Sequence, residues 1–195
     1  MLTTQIMSSS PSSSASGYLE IILGPMFSGK TTKILDIYKQ CKFCNIPVSI
    51  INHSSDTRYH DTMISSHDQL FAPCFQTVLL NDLWKTNVAI RSSDVILINE
   101  GQFFGDLYNV VNDMLKHKKK VYICGLDGDF ERKKFGQILD LIPMCDKVTK
   151  LTSLCSKCKD GTTAIFSTRL TCETDQTVVG SSNYIPTCRK CYDNR

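Results

Sequence analysis

The chain has 195 residues, enough for one domain of ordinary size plus a small appendage. It is 42% hydrophobic and 21% charged, a composition suited to a soluble globular core. Its 22 Lys and Arg against 19 Asp and Glu give a net charge of +3, too weak to argue for nucleic acid. The absence of any apolar run near ~20 residues argues against a membrane-spanning helix.

The start, "MLTTQIMSSSPSSSASG", reads as a disordered tail, residues 1–17. It lacks a basic stretch followed by a long apolar core, so it does not read as a secretory signal. It also lacks the arginine of a transit peptide, and a cytoplasmic location is expected. "YLEIIL" (Tyr18 to Leu23) then reads as a strand, broken by "GPMFSGKTT". From Gly29 to about Cys44, Ile34, Ile37, Tyr38 and Cys41 recur at helical spacing. "PVSIIN" is a second, mostly apolar strand.

The polar segment "HSSDTRYHDTMISSHDQ" reads as a functional loop rather than core. "TVLL" is a short strand candidate, and Asp82 to Arg91 reads as helical. "DVILIN" is the clearest buried strand, "FGDLYNVVNDMLKHKK" an amphipathic helix, and "KVYICG" another strand. Strands alternate with helices to about residue 150, which predicts an α/β fold: a parallel sheet with helices on its faces.

"GPMFSGKT" fits the eight-position P-loop pattern, with Gly24, Gly29, Lys30 and Thr31 in place. Glycines let the backbone wrap a phosphate chain, and the following helix adds its positive end. Lys30 supplies a point charge and Thr31 a hydroxyl for magnesium. The position between a predicted strand and a predicted helix supports the motif over a chance glycine turn. Glu100 falls just past "DVILIN", where the carboxyl ends of parallel strands face the ligand crevice. A carboxylate there can accept a proton from an attacking hydroxyl or hold magnesium through water. The alternative is a surface glutamate capping the next helix.

Cys155 and Cys158 form one Cys-x-x-Cys pair, and Cys188 and Cys191 another. In a reducing compartment two such pairs point to a tetrahedral zinc thiolate site. The 29 residues between them, tethered at both ends, read as a lid. Cys41 and Cys44 share the spacing but have no second pair nearby, so packing roles are expected for them.

"GPMFSGKTT", "DTRY", "EGQFF", "LDGDF" and "CRKCY", in this order, resemble the type II thymidine kinases, the cytosolic and viral kind, over residues 18–192. The resemblance implies transfer of the ATP γ-phosphate to the 5′-hydroxyl of thymidine or deoxyuridine in nucleotide salvage. It implies a P-loop, RecA-like domain over 18–150 and a zinc-binding lasso over 151–195. Gly24, Pro25, Met26, Phe27, Ser28, Gly29, Lys30, Thr31 and Thr32 match the family's grip on ATP and magnesium, with Arg58 and Asn99 beside them. Glu100 matches the general base, and Asp56 the contact to the sugar 3′-hydroxyl.

Met26, Phe103, Leu126 and Phe130 match residues enclosing the thymine ring, with Gln102 in the same substrate-binding set. Tyr184 matches the lid tyrosine, and Ser167, Arg169, Val178, Val179 and Gly180 lie in the segments resembling the lasso. A homotetramer and feedback inhibition by thymidine triphosphate are also implied. The chain departs from the family in carrying Asn99 where an aspartate is usual and Gly180 alone where two glycines are usual. Two other readings fit fewer residues: a nucleic-acid-binding zinc module on an ATPase-like domain, and an inactive structural relative.

Overall fold

The computed structural model describes residues 16–55, 62–65, 70–178 and 180–194. Most of the predicted tail lies outside them. In chain order the main elements are β1 (Tyr18–Leu23), α1 (Lys30–Phe43), β2 (Val48–His53), β3 (Met63–Ser65), β4 (Phe71–Pro73) and β5 (Phe75–Thr77). Then come α2 (Leu80–Thr86), α3 (Val88–Ser92), β6 (Val95–Ile98), α4 (Leu107–Lys116), β7 (Lys120–Gly125) and β8 (Lys147–Lys150). The chain closes with β9 (Ser153–Leu154), β10 (Thr163–Ala164), β11 (Phe166–Arg169), β12 (Tyr184–Thr187) and α5 (Arg189–Asp193).

Six strands form one sheet in the order β5-β2-β6-β7-β1-β8, and every pair in it is parallel. Parallel strands covered on both faces read as unbroken apolar runs, and all four residues of β6 are buried. Successive side chains go to opposite faces. Ile96, Ile98, Val121 and Ile123 meet Leu107, Val111 and Met114 of α4 on one side. Leu97, Ile22 and Cys124 meet Ile34, Leu35, Ile37 and Cys41 of α1 on the other. This sandwich makes the sheet rigid, and its carboxyl edge carries the site. Cys41 thus packs in the core, while Cys44 is exposed.

Three local expectations change. The helix expected over Asp82 to Arg91 is two helices, because Asn87 breaks the run in extended backbone and accepts from the Ile90 N–H as a cap. The "TVLL" strand sits earlier, at β5, and Leu80 already opens α2, with the Leu80 and Asn81 N–H groups donating to the Asp106 carboxylate. The polar loop is not wholly outside the core: Ile64 of β3 is 1% exposed, and β3 pairs antiparallel with β4.

Candidate active site at the carboxyl edge of the sheet

The phosphate loop turns sharply out of β1. A Cβ on Gly24 would lie 2.6 Å from Ser28 Oγ and 2.7 Å from the Leu151 carbonyl oxygen, so only hydrogen fits. Gly29 needs glycine for a different reason: its surroundings are open, but its φ is +81°. Phe27 adopts φ 63° without being glycine, a local strain of roughly 1–2 kcal/mol. Lys30 opens α1, and its ammonium folds back to donate to the Pro25 carbonyl at 2.7 Å. Ser28 Oγ is buried and, among the described residues, has no hydrogen-bond partner. An orphaned buried hydroxyl costs about 1–3 kcal/mol. An anionic oxygen held in the loop would accept from it, so these residues fit a phosphate.

Parallel registry sets what stands beside the loop. Ile51 pairs Ile98 and Ile98 pairs Ile123, so the next residues along three adjacent strands, Asn52, Asn99 and Cys124, lie side by side. Asn99 Nδ2 donates to Asn52 Oδ1 at 2.8 Å. Cys124 Sγ donates to Asn99 Oδ1 at 2.9 Å, and Thr31 Oγ1 lies 3.5 Å from the same oxygen. Glu100 follows with φ 54°, a left-handed backbone that turns the chain off the sheet edge. Gln102 Nε2 donates to Glu100 Oε2 at 2.7 Å, while Gln102 Oε1 accepts from the Leu126 N–H at 3.0 Å. Gln102 is 3% exposed, so its amide has one orientation and holds the glutamate from one side.

These groups open onto a cleft of about 1060 Å³, its solvent-filled mouth included. Of the residues singled out in the sequence, Met26, Phe27, Ser28, Gly29, Lys30, Thr31 and Thr32 line one side of it. Glu100, Gln102, Phe103, Leu126, Phe130, Ser167, Val178, Gly180 and Tyr184 complete the wall. Phe103 and Phe135 meet edge to face at 5.5 Å and give the cleft an aromatic wall against which a planar ring can pack. Gly24, Pro25, Asn99 and Arg169 do not line the cleft and support it from behind. Asp56, Arg58 and Val179 lie outside the described residues.

Arg169 is a framework for the lid. Its guanidinium donates to the carbonyls of Glu173, Asp175 and Gln176 and to the Tyr184 hydroxyl. Its flat face lies 3.6 Å from the centre of the Phe130 ring. The Tyr184 hydroxyl in turn donates to the Val178 carbonyl at 3.2 Å. From the opposite wall, Asp129 accepts from the Glu131 and Lys133 N–H groups and, through its other oxygen, from Gln176 Nε2 at 2.7 Å. Sequence reasoning passed over Asp129, Gln176, Phe135, Asn52 and Cys124. Asp129 lay inside "LDGDF", and Phe135 stood out as the one aromatic in "ERKKFG". The other three carry no sequence signal: strand order and registry bring in Asn52 and Cys124, and the path of the lid loop brings in Gln176.

The four cysteines of the two pairs meet. All four sulfurs lie within 4.8 Å of one another, with Cys158 Sγ 3.8 Å from Cys188 Sγ and 3.4 Å from Cys191 Sγ. Tetrahedral zinc with bonds of about 2.3 Å needs sulfurs ~3.8 Å apart, so the set fits zinc. Burial opposes ionisation of Cys155, but N–H groups of Cys188, Cys158 and Lys157 aimed at its sulfur prevail and hold the thiol down at about 6. A metal binds a cysteine as its thiolate. The cluster reaches the cleft twice. Ser167 Oγ accepts from the Met26 N–H of the phosphate loop at 2.9 Å, and the Tyr192 hydroxyl donates to the Phe130 carbonyl at 2.5 Å.

A phosphate loop on an inner strand, a carboxylate at the end of a nearby strand and a lidded aromatic slot between them define a P-loop kinase. A family model described as thymidine kinase matches residues 17–192. The chain is 38% identical to the thymidine kinase of sheeppox virus over 178 residues, covering 90% of this chain and 97% of the relative. It is 40% identical to thymidine kinase a of Arabidopsis thaliana, covering 91% and 75% of the two chains. Against the cytosolic thymidine kinase of Bos taurus it is 35% identical, covering 96% and 76%. The chain belongs to the thymidine kinase family. No described helix is long and apolar enough to cross a membrane.

Proposed function

We propose that the protein phosphorylates thymidine, and deoxyuridine as well, at the 5′-hydroxyl with ATP as donor, giving the monophosphate in nucleotide salvage. The observation that carries this reading is the placement of Glu100 on the same cleft wall as Gln102 and Phe103, facing a loop that carries Lys30 and Thr31. The loop N–H groups and Lys30 grip the donor phosphates. Phe103, Phe130 and Phe135 hold the base, and the lid from Arg169 to Tyr184 closes over it. Glu100 takes the proton of the 5′-hydroxyl as that oxygen bonds to the γ-phosphorus. The bond to the β-phosphate oxygen breaks, and ADP leaves with the electron pair.

Thr31 is the group that would stand next to magnesium, which when bound neutralises phosphate charge, and Asn99, placed with it by the family resemblance, backs the Thr31 hydroxyl. Asp56 and Arg58 keep the sugar and phosphate roles that the family resemblance implies. The cysteine cluster holds structural zinc. A cytoplasmic homotetramer, inhibited by thymidine triphosphate, completes the proposal, with no nucleic-acid or membrane partner.

Purified protein with magnesium, ATP and thymidine is expected to form thymidine monophosphate and ADP in equal amounts. Folded protein that forms neither product from thymidine or deoxyuridine would sink the proposal.

A further inference from the structure

We infer that Asn52 is a positioning residue for the phosphate-loop hydroxyl of Thr31, acting through the carboxamide of Asn99. The inference rests on the reading of the loop as a magnesium–nucleotide site. A hydroxyl can offer a lone pair to a cation only if its own proton points elsewhere. Thr31 needs an acceptor behind it, and Asn99 Oδ1, 3.5 Å away, is that acceptor. The contact is long, so what decides its sense is which end of the Asn99 carboxamide faces Thr31.

A carboxamide is nearly symmetric in shape and opposite in polarity at its two ends. Were Asn99 reversed, its NH2 would donate to Thr31 Oγ1, occupy a lone pair and compete with the cation. Two neighbours hold it in the present sense. Asn52 Oδ1 takes a hydrogen bond from Nδ2 at 2.8 Å, and the Cys124 thiol donates to Oδ1 at 2.9 Å. Asn52, Asn99 and Cys124 are 2%, 1% and 1% exposed, so water is not on hand to satisfy a flipped amide. The thiol is a weak donor, which leaves Asn52 as the stronger determinant. Asn52 lies outside the cleft lining, so its influence on the site passes through Asn99.

The test measures affinity for a non-hydrolysable ATP analogue by calorimetry, with magnesium and with magnesium chelated. Asn52→Leu and Asn52→Ala each remove the acceptor, and thermal melting identifies which of them is folded, so either can decide. Each is expected to lose roughly three- to tenfold of the magnesium-dependent gain in affinity, the size of one net hydrogen bond. Affinity without magnesium should hold. In a Thr31→Val background the same substitution should add no further loss, since the cycle isolates what passes through Thr31. The inference is overturned if the magnesium-dependent gain is unchanged. Equal weakening with and without magnesium, or an undiminished loss in the Thr31→Val background, would also overturn it. Thymidine is absent from the measurement, so failure of the proposed phosphorylation and failure of this inference register separately.

Discussion

Glu100→Gln is expected to cut turnover by about 10²–10⁴-fold, the usual worth of a positioned general base, with thymidine affinity nearly unchanged. At 1.36 kcal/mol per tenfold this is about 3–5 kcal/mol of barrier. The geometry makes the substitution unusually clean. The Leu126 N–H fixes the polarity of the Gln102 amide, so Nε2 always faces residue 100. A glutamine there can answer with its own carbonyl oxygen, keep the 2.7 Å contact and leave the left-handed turn in place. What changes is the oxygen that would take the proton, which becomes an amide with no useful basicity. Steady-state kinetics check the result, together with calorimetric titration of thymidine. A variant retaining most of its turnover would remove Glu100 from the chemistry.

Cys188→Ser should unfold the C-terminal unit. The C-terminal unit has almost no apolar core of its own: its buried cluster is Cys155, Ala164 and Cys188, with Cys158 and Cys191 against it. Units this small need a staple, and zinc supplies ~10–16 kcal/mol in peptides of this kind. The substitution removes one ligand and the sulfur's place beside Cys155, to which the Cys188 N–H donates at 3.3 Å. Loss of the unit releases Phe130 through Tyr192 and the lid through β11 and β12. Elemental analysis should show zinc lost. Thymidine binding should fall before nucleotide binding, while the six-stranded sheet stays folded by circular dichroism. One zinc per chain retained in the variant, or no zinc in the unaltered protein, would refute the assignment.

Much of this was legible in the residues because the signals are local. The run from "YLEIIL" through the P-loop into α1 follows from apolar periodicity and two glycines. The four clustered cysteines announce themselves by spacing. Glu100 was placed correctly at a strand end because parallel sheets gather such ends on one edge. What escaped depends on distant partners. Nothing local to "SIINH" marks Asn52, whose meaning comes from β2 lying next to β6. Cys124 carried no pattern, yet registry sets it against Asn99. Asn87 broke a helix because its side chain caps the next one, a competition that periodicity does not register. Nothing local to "STRL" shows that the Arg169 side chain holds the lid's own carbonyls and Tyr184.

The hydrogen bond from the Met26 N–H to Ser167 Oγ makes the two halves of the molecule a thermodynamic cycle. Free-energy coupling between two binding events is reciprocal. If the metal-held hairpin helps the phosphate loop keep its shape for nucleotide, a bound nucleotide must tighten the grip on zinc by the same factor. At equilibrium, chelators should therefore strip the metal less completely from ATP-loaded protein than from the empty enzyme.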